Sequence, residues 1–99
     1  MPIVVQYTTN VGPDEYDEVV LKIRFHDDPP PGLIMHTAAV TEEGRMRVFD
    51  VWRSRAAHDE FATARLRPAI AAVVGEERAK AADDHRVLQL HSLVKPVGS

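Results

Sequence analysis

The 99-residue sequence contains no cysteine. That excludes a disulfide framework, a thiolate zinc site and a cysteine nucleophile. No apolar run approaches the roughly 18–20 residues that a membrane span needs. The first residues, Met1-Pro2-Ile3-Val4-Val5-Gln6, lack the basic stretch and long apolar core of a signal peptide. A cytoplasmic protein with no membrane partner is therefore expected. Positive charge is not in excess, with 12 Lys and Arg against 15 Asp and Glu and a formal net charge of −3. Phosphate-driven nucleic-acid binding needs the opposite balance, so no nucleic-acid partner is expected. There is no glycine-rich phosphate loop, no serine nucleophile elbow and no His-Glu-x-x-His pair. What remains is 44% hydrophobic and 27% charged, too apolar for disorder. The length suits one domain spanning residues 1–99.

Ile3 to Thr8 is short and rich in β-branched residues, which predicts a strand. Gly12 and Pro13 then supply an N-cap and a first helical residue, with Asp14 and Glu15 at the positive end of the helix dipole. Tyr16, Val19, Val20 and Ile23 form one apolar stripe on that helix. Pro29-Pro30-Pro31-Gly32 ends any helix and makes a stiff crossover. Leu33–Thr41 and Arg45–Arg53 read as two strands joined by the three-residue loop Glu42-Glu43-Gly44, with glycine at the left-handed position. Ser54 is a natural N-cap for a second helix with the stripe Ala57, Phe61, Ala64, Ile70, Val73 and Val74. Pro68 should kink that helix or start a short new one. Glu76 to His85 reads as a solvated helical turn or loop, Val87–Val94 as the last strand, and residues 95–99 as a frayed end.

The predicted order, βαββαβ, is the ferredoxin-like α+β arrangement: a four-stranded antiparallel sheet with two helices on one face. Its other face stays uncovered. Yet both faces of the strands carry apolar residues: Ile3, Val5 and Tyr7 against Val4 in the first, and Leu33, Met35 and Ala39 against Ile34, Ala38 and Val40 in the second. A homodimer with the two sheets packed face to face, a dimeric α/β barrel, would cover them.

The three-residue loop sets a hairpin register. Thr41 faces Arg45, His36 lies opposite Asp50, and Ile34 opposite Trp52. Ile34, His36, Ala38, Val40, Met46, Val48, Asp50 and Trp52 then share one face. A histidine and an aspartate amid apolar neighbours must pair or line a cavity. His36, oriented by Asp50 beside Trp52, is the candidate proton acceptor of a catalytic group. The alternative is that the pair only braces the sheet. A two-residue loop would put the two on opposite faces.

Tyr7, Trp52, Phe61 and His91 are the candidate substrate-binding residues, His91 from the last strand at a sheet edge or dimer seam. Tyr16 is expected in the core with its hydroxyl at the rim. His26 and His58 read as solvated residues at helix ends. Asp83, Asp84, His85 and His91 match no metal module, so no metal is expected.

The runs Asp50-Val51-Trp52-Arg53-Ser54, Ala57-His58-Asp59-Glu60-Phe61 and Arg65-Leu66-Arg67-Pro68-Ala69-Ile70 resemble the strand-to-helix junction of the dimeric α+β barrel superfamily. More narrowly, the chain is similar to antibiotic-biosynthesis-monooxygenase-like (ABM-like) domains from about Val4 to Val94. The resemblance implies a ferredoxin-like protomer, a homodimer, and a small pocket between sheet and helices. Members that oxidise polyketide quinones need neither metal nor flavin, so no cofactor is expected. Relatives that degrade haem use a first-strand asparagine, a third-strand tryptophan and a second-helix histidine. Trp52 matches the tryptophan, but Ile3–Thr8 has no asparagine and His58 comes early in its helix. The functional expectation is a cofactor-independent monooxygenase-like enzyme for a small aromatic or quinone-like molecule. The alternative is a non-catalytic dimeric protein that binds a small molecule or serves a structural role.

Overall fold

A computed structural model describes residues 1–80 and 82–96. Four strands, β1 (Ile3–Thr8), β2 (Leu33–Val40), β3 (Met46–Trp52) and β4 (Asp83–Gln89), form one antiparallel sheet in the order β2-β3-β1-β4. Helix α1 (Pro13–Ile23) follows β1. Helices α2 (Arg55–Phe61) and α3 (Arg67–Val74) follow β3, joined by a π-helical turn over Ala62–Leu66. A short α4 (Glu76–Ala79) precedes β4. Strand order and direction are those of the ferredoxin-like arrangement.

The local signals act as predicted in several places. Gly12 caps α1 in extended backbone, and its N–H donates to Glu15 Oε1 at 3.0 Å. Ser54 Oγ accepts from the Ala57 N–H at 3.1 Å. Thr41 and Arg45 close the Glu42-Glu43-Gly44 loop through a 2.7 Å backbone bond, and Gly44 takes φ +82°. His36 does stand opposite Asp50.

Four details differ from expectation. The β2 register shifts between Leu33 and Met35, so Leu33 rather than Ile34 pairs with Trp52. The irregularity turns Leu33 toward the core. Pro68 lacks the N–H that Ala64 would receive, and the chain absorbs this in the π turn while keeping helical dihedrals through Arg67. The extra residue in that turn rotates the helix, so Ala62 is buried and Ala64 exposed. Glu76–Ala79 is helical, one of the two forms expected there, but β4 begins at Asp83 rather than Val87 and ends at Gln89, well before Val94. Early pairing suits Asp83 and Asp84, which meet Arg45 and Arg47 at 2.9 and 3.2 Å. Of the segment expected to fray, residues 97–99 lie outside the described residues.

The core lies between the helices and one sheet face. Val5, Val48, Trp52, Val19, Ile23, Phe61 and Ile70 fill it. The opposite face carries Val4, Val51, Met35 and Leu88 in one row across the sheet. Phe49 and Leu88 on that face are exposed. Among the described residues no helix is long and apolar enough to cross a membrane.

Candidate functional site

The inward face of β3 places Asp50 and Trp52 two residues apart, both buried. Trp52 is fully enclosed and its indole N–H, which can only donate, meets Asp50 Oδ2 at 3.3 Å. Asp50 Oδ1 lies 2.6 Å from His36 Nδ1. His36 Nε2 in turn lies 2.5 Å from the Tyr16 hydroxyl on α1. With Asp50 as the carboxylate accepting from both sides, Nδ1 carries the imidazole hydrogen. Nε2 then accepts from the Tyr16 hydroxyl. Phe25 stacks on the His36 ring at 4.6 Å. Burial raises the Tyr16 phenol above its ordinary range, aided by the charges of Asp50 and Asp17.

The three expected catalytic residues are therefore brought together. Both nitrogens of His36 are occupied. His36, Asp50, Tyr7 and Phe61 share a void of about 20 Å³, and His36 also borders an open groove of about 470 Å³ between α1 and β2. Trp52 lines none of the described cavities. His91 falls beyond the end of β4, exposed, and borders no described cavity either.

A second cluster lies on the other side of Trp52. A cavity of about 100 Å³ opens between β1, the α2–α3 helix and α4. Tyr7, His58 and His85 meet there, with Asn10, Arg67 and Arg78 around them. Tyr7 stacks on His85 at 5.7 Å. His58 and His85 have ring centroids 6.4 Å apart. His58 presents to the edge or face of Trp52 at 5.6 Å with planes 78° apart, and its Nδ1 lies 3.1 Å from Asp59 Oδ1. Burial pushes the Tyr7 phenol far above its usual range, with the charge of Asp50 adding to the effect. His85 is exposed at the cavity mouth; the desolvation it does undergo lowers its pKa, and the neighbouring charges of His58, Arg55 and Arg67 act in the same direction against Asp59. Neutral imidazole is thereby favoured beside the cavity.

His58, expected to be solvated, is buried, and His85, expected in a solvated turn or loop, lies in β4. His58, Phe61 and Ala62 are spaced as one helical face, and all three are buried. The charged neighbours Asp59 and Glu60 masked that pattern. His85 alternates with Val87, whose partner across the sheet is Val5, but Asp83 and Asp84 made the segment read as a loop. Those two aspartates pair with arginines, and among the described residues no group of three or more His, Asp or Glu could hold a metal ion.

No family model and no curated protein sequence matches the chain. Solved structures do. A protein from Chloroflexus aurantiacus assigned as an antibiotic biosynthesis monooxygenase superposes with a TM-score of 0.64 at 16% identity, covering 95% of this chain and 98% of that one. A mutant of SnoaB, a cofactor-independent oxygenase from Streptomyces nogalater, gives 0.59 at 17% identity over 96% of each chain. A monooxygenase from the ActVA-Orf6 gene of Streptomyces coelicolor, in complex with nanaomycin D, gives 0.53 at 19% identity over 96% and 90%. The architecture is that of a ferredoxin-like α+β protein. Within that class it is the ABM-like fold.

Proposed function

We propose that this protein is a monooxygenase-like enzyme that oxidises a small aromatic or quinone-like molecule without a bound cofactor. The reaction site is the cavity under Tyr7, His58 and His85. Neutral His85 accepts a proton from an acidic O–H or C–H of the substrate. The aromatic anion gives its electrons to dioxygen. One oxygen atom stays on the ring carbon, and the other leaves as water with two hydrogens from the substrate. Trp52, itself fixed by Asp50, backs His58, and Arg67 and Arg78 stand at the rim for a substrate anion. A volume of about 100 Å³ is smaller than the ~150 Å³ cavity known to take benzene. A ring therefore enters with outward movement of α4. Two copies pack through the face carrying Met35, Phe49 and Leu88.

The observation that carries this reading is the convergence of Tyr7, His58 and His85 on one cavity, in a fold shared with an oxygenase described as cofactor-independent. The test is oxygen uptake with a panel of naphthols and hydroquinones. The wild type should consume oxygen, and His85→Gln should lose about 10²-fold in rate, as removal of a general base does. Uptake unchanged in His85→Gln and His58→Gln overturns the assignment. The small cavity favours one alternative, a non-catalytic dimeric protein that binds a small molecule. Thermal stabilisation by the same compounds with no oxygen uptake would select it.

A further inference from the structure

We infer that Tyr16 is a redox-active tyrosine, wired to give up one electron while its proton moves to His36. The geometry is specific. Tyr16 Oη and His36 Nε2 are 2.5 Å apart, with the two ring planes only 12° from parallel. On the far side of the imidazole, Asp50 Oδ1 stands 2.6 Å from Nδ1 and is ready to stabilise the imidazolium that proton transfer creates. Oxidation of an isolated phenol yields a strongly acidic radical cation, so a base already in place removes the unfavourable intermediate. The balance is simple. The Tyr16 O–H bond breaks, an N–H bond forms at His36 Nε2, and one electron passes to the oxidant, leaving a neutral phenoxyl radical.

The other tyrosine provides a contrast within the same molecule. Tyr7 is buried, and among the described residues its hydroxyl has no hydrogen-bond partner to take a proton. Trp52 completes the path. Its indole donates to the second oxygen of Asp50 and faces His58 at the cavity, so it stands between the cavity and Tyr16. Tyr16 itself borders an open groove of about 470 Å³ between α1 and β2, with Asp17 and His26 as its other titratable neighbours. A reductant in solution can reach it there. The oxidant is a peroxyl radical, the class formed when dioxygen adds to the radical of an electron-rich aromatic, and it is reduced to the hydroperoxide anion. That source rests on the proposed function; the relay does not. Its role is to drain an escaped radical from the cavity wall to the surface before it damages the core.

The test uses an external oxidant, so its outcome is separate from that of the oxygenase reading. A ruthenium(III) polypyridyl complex is generated by a laser flash in the presence of the intact protein, and the phenoxyl radical is followed by transient absorbance and electron paramagnetic resonance. Wild type and Tyr7→Phe should give the same phenoxyl signal, and Tyr16→Phe should lose it. His36→Gln should slow radical formation by about tenfold or more, in line with the loss of a positioned proton acceptor. Wild type in deuterium oxide should also be slower, a readout that needs no variant to fold. A phenoxyl signal retained in Tyr16→Phe overturns the inference. So does a rate unchanged both in His36→Gln and in deuterium oxide.

Discussion

Trp52 and His58 meet nearly perpendicular, with ring centroids 5.6 Å apart. This contact joins the Tyr16–His36–Asp50 chain, buried at its Asp50 end, to the cavity that His85 borders. It also gives Trp52 two roles, one as packing and one as donor to Asp50. Trp52→Phe keeps most of the packing but leaves Asp50 Oδ2 without its donor. We predict a loss of about 1–3 kcal/mol, the cost of an unsatisfied buried acceptor. Asp50→Ala should cost more, about 3–5 kcal/mol, because it strips a buried pair of one partner. In a cycle with His36→Phe the two effects should be less than additive by about 1 kcal/mol or more. Urea unfolding measures all of these.

Gly32 and Gly44 separate two reasons for a glycine. Both have positive φ, +87° and +82°. A Cβ on Gly44 would meet nothing, whereas one on Gly32 would lie 2.6 Å from Ala57 Cβ, where α2 packs against the crossover. Gly44→Ala should cost about 1–2 kcal/mol from backbone strain alone. Gly32→Ala adds a clash and should cost about 2–4 kcal/mol. Equal losses in thermal unfolding would contradict the close approach.

Stability should depend on pH through His85. Its lowered pKa means that the unfolded chain binds the proton more readily than the folded one. The contribution is fully present above the ordinary value of 6.5 and is lost as pH falls from there toward the folded value. His85→Gln should flatten that part of the stability curve between about pH 5 and 7. An unchanged slope would contradict the environment described for His85. The opposing groups are His58, Arg55 and Arg67, which lower it, and Asp59, which raises it.

Arg78 latches α4 to the start of α1. Its guanidinium meets both oxygens of Glu15, at 2.8 and 2.6 Å, and the Asn10 carbonyl at 2.9 Å. Arg78 also borders the cavity, so the latch and the cavity mouth are one feature. Glu15→Gln should speed amide exchange across Glu76–Lys80 while global unfolding changes little, because the pair is solvent-exposed. Hydrogen exchange read by mass spectrometry checks both parts. Exchange confined to its wild-type rate would show that other contacts hold α4.

Much of this fold was legible because short-range chemistry decided it. Gly12-Pro13, Ser54 and Glu42-Glu43-Gly44 each specify their backbone locally, and the last of them brought His36 opposite Asp50 from sequence alone. What escaped depended on tertiary accommodation. Pro68 could be met by a kink or by a new short helix; α3 does start at Arg67, but the π turn that leads into it is not specified locally. Asp83 and Asp84 become strand residues only because Arg45 and Arg47 lie across the sheet. Tyr16 as the partner of His36 needed the position of α1 over β2, which no periodicity fixes. Nor does any local signal place His91 beyond the end of β4 at Gln89, or give His36 a partner at each ring nitrogen.

The central claim is that ligand chemistry belongs to the Tyr7–His58–His85 cavity and not to His36. The chain has five histidines, few enough for every imidazole to be followed by nitrogen-detected nuclear magnetic resonance. On titration with 1-naphthol, the account predicts that the His58 and His85 resonances move together with one saturation curve while those of His36 stay in place. Movement of His36 with His58 and His85 unmoved would contradict it.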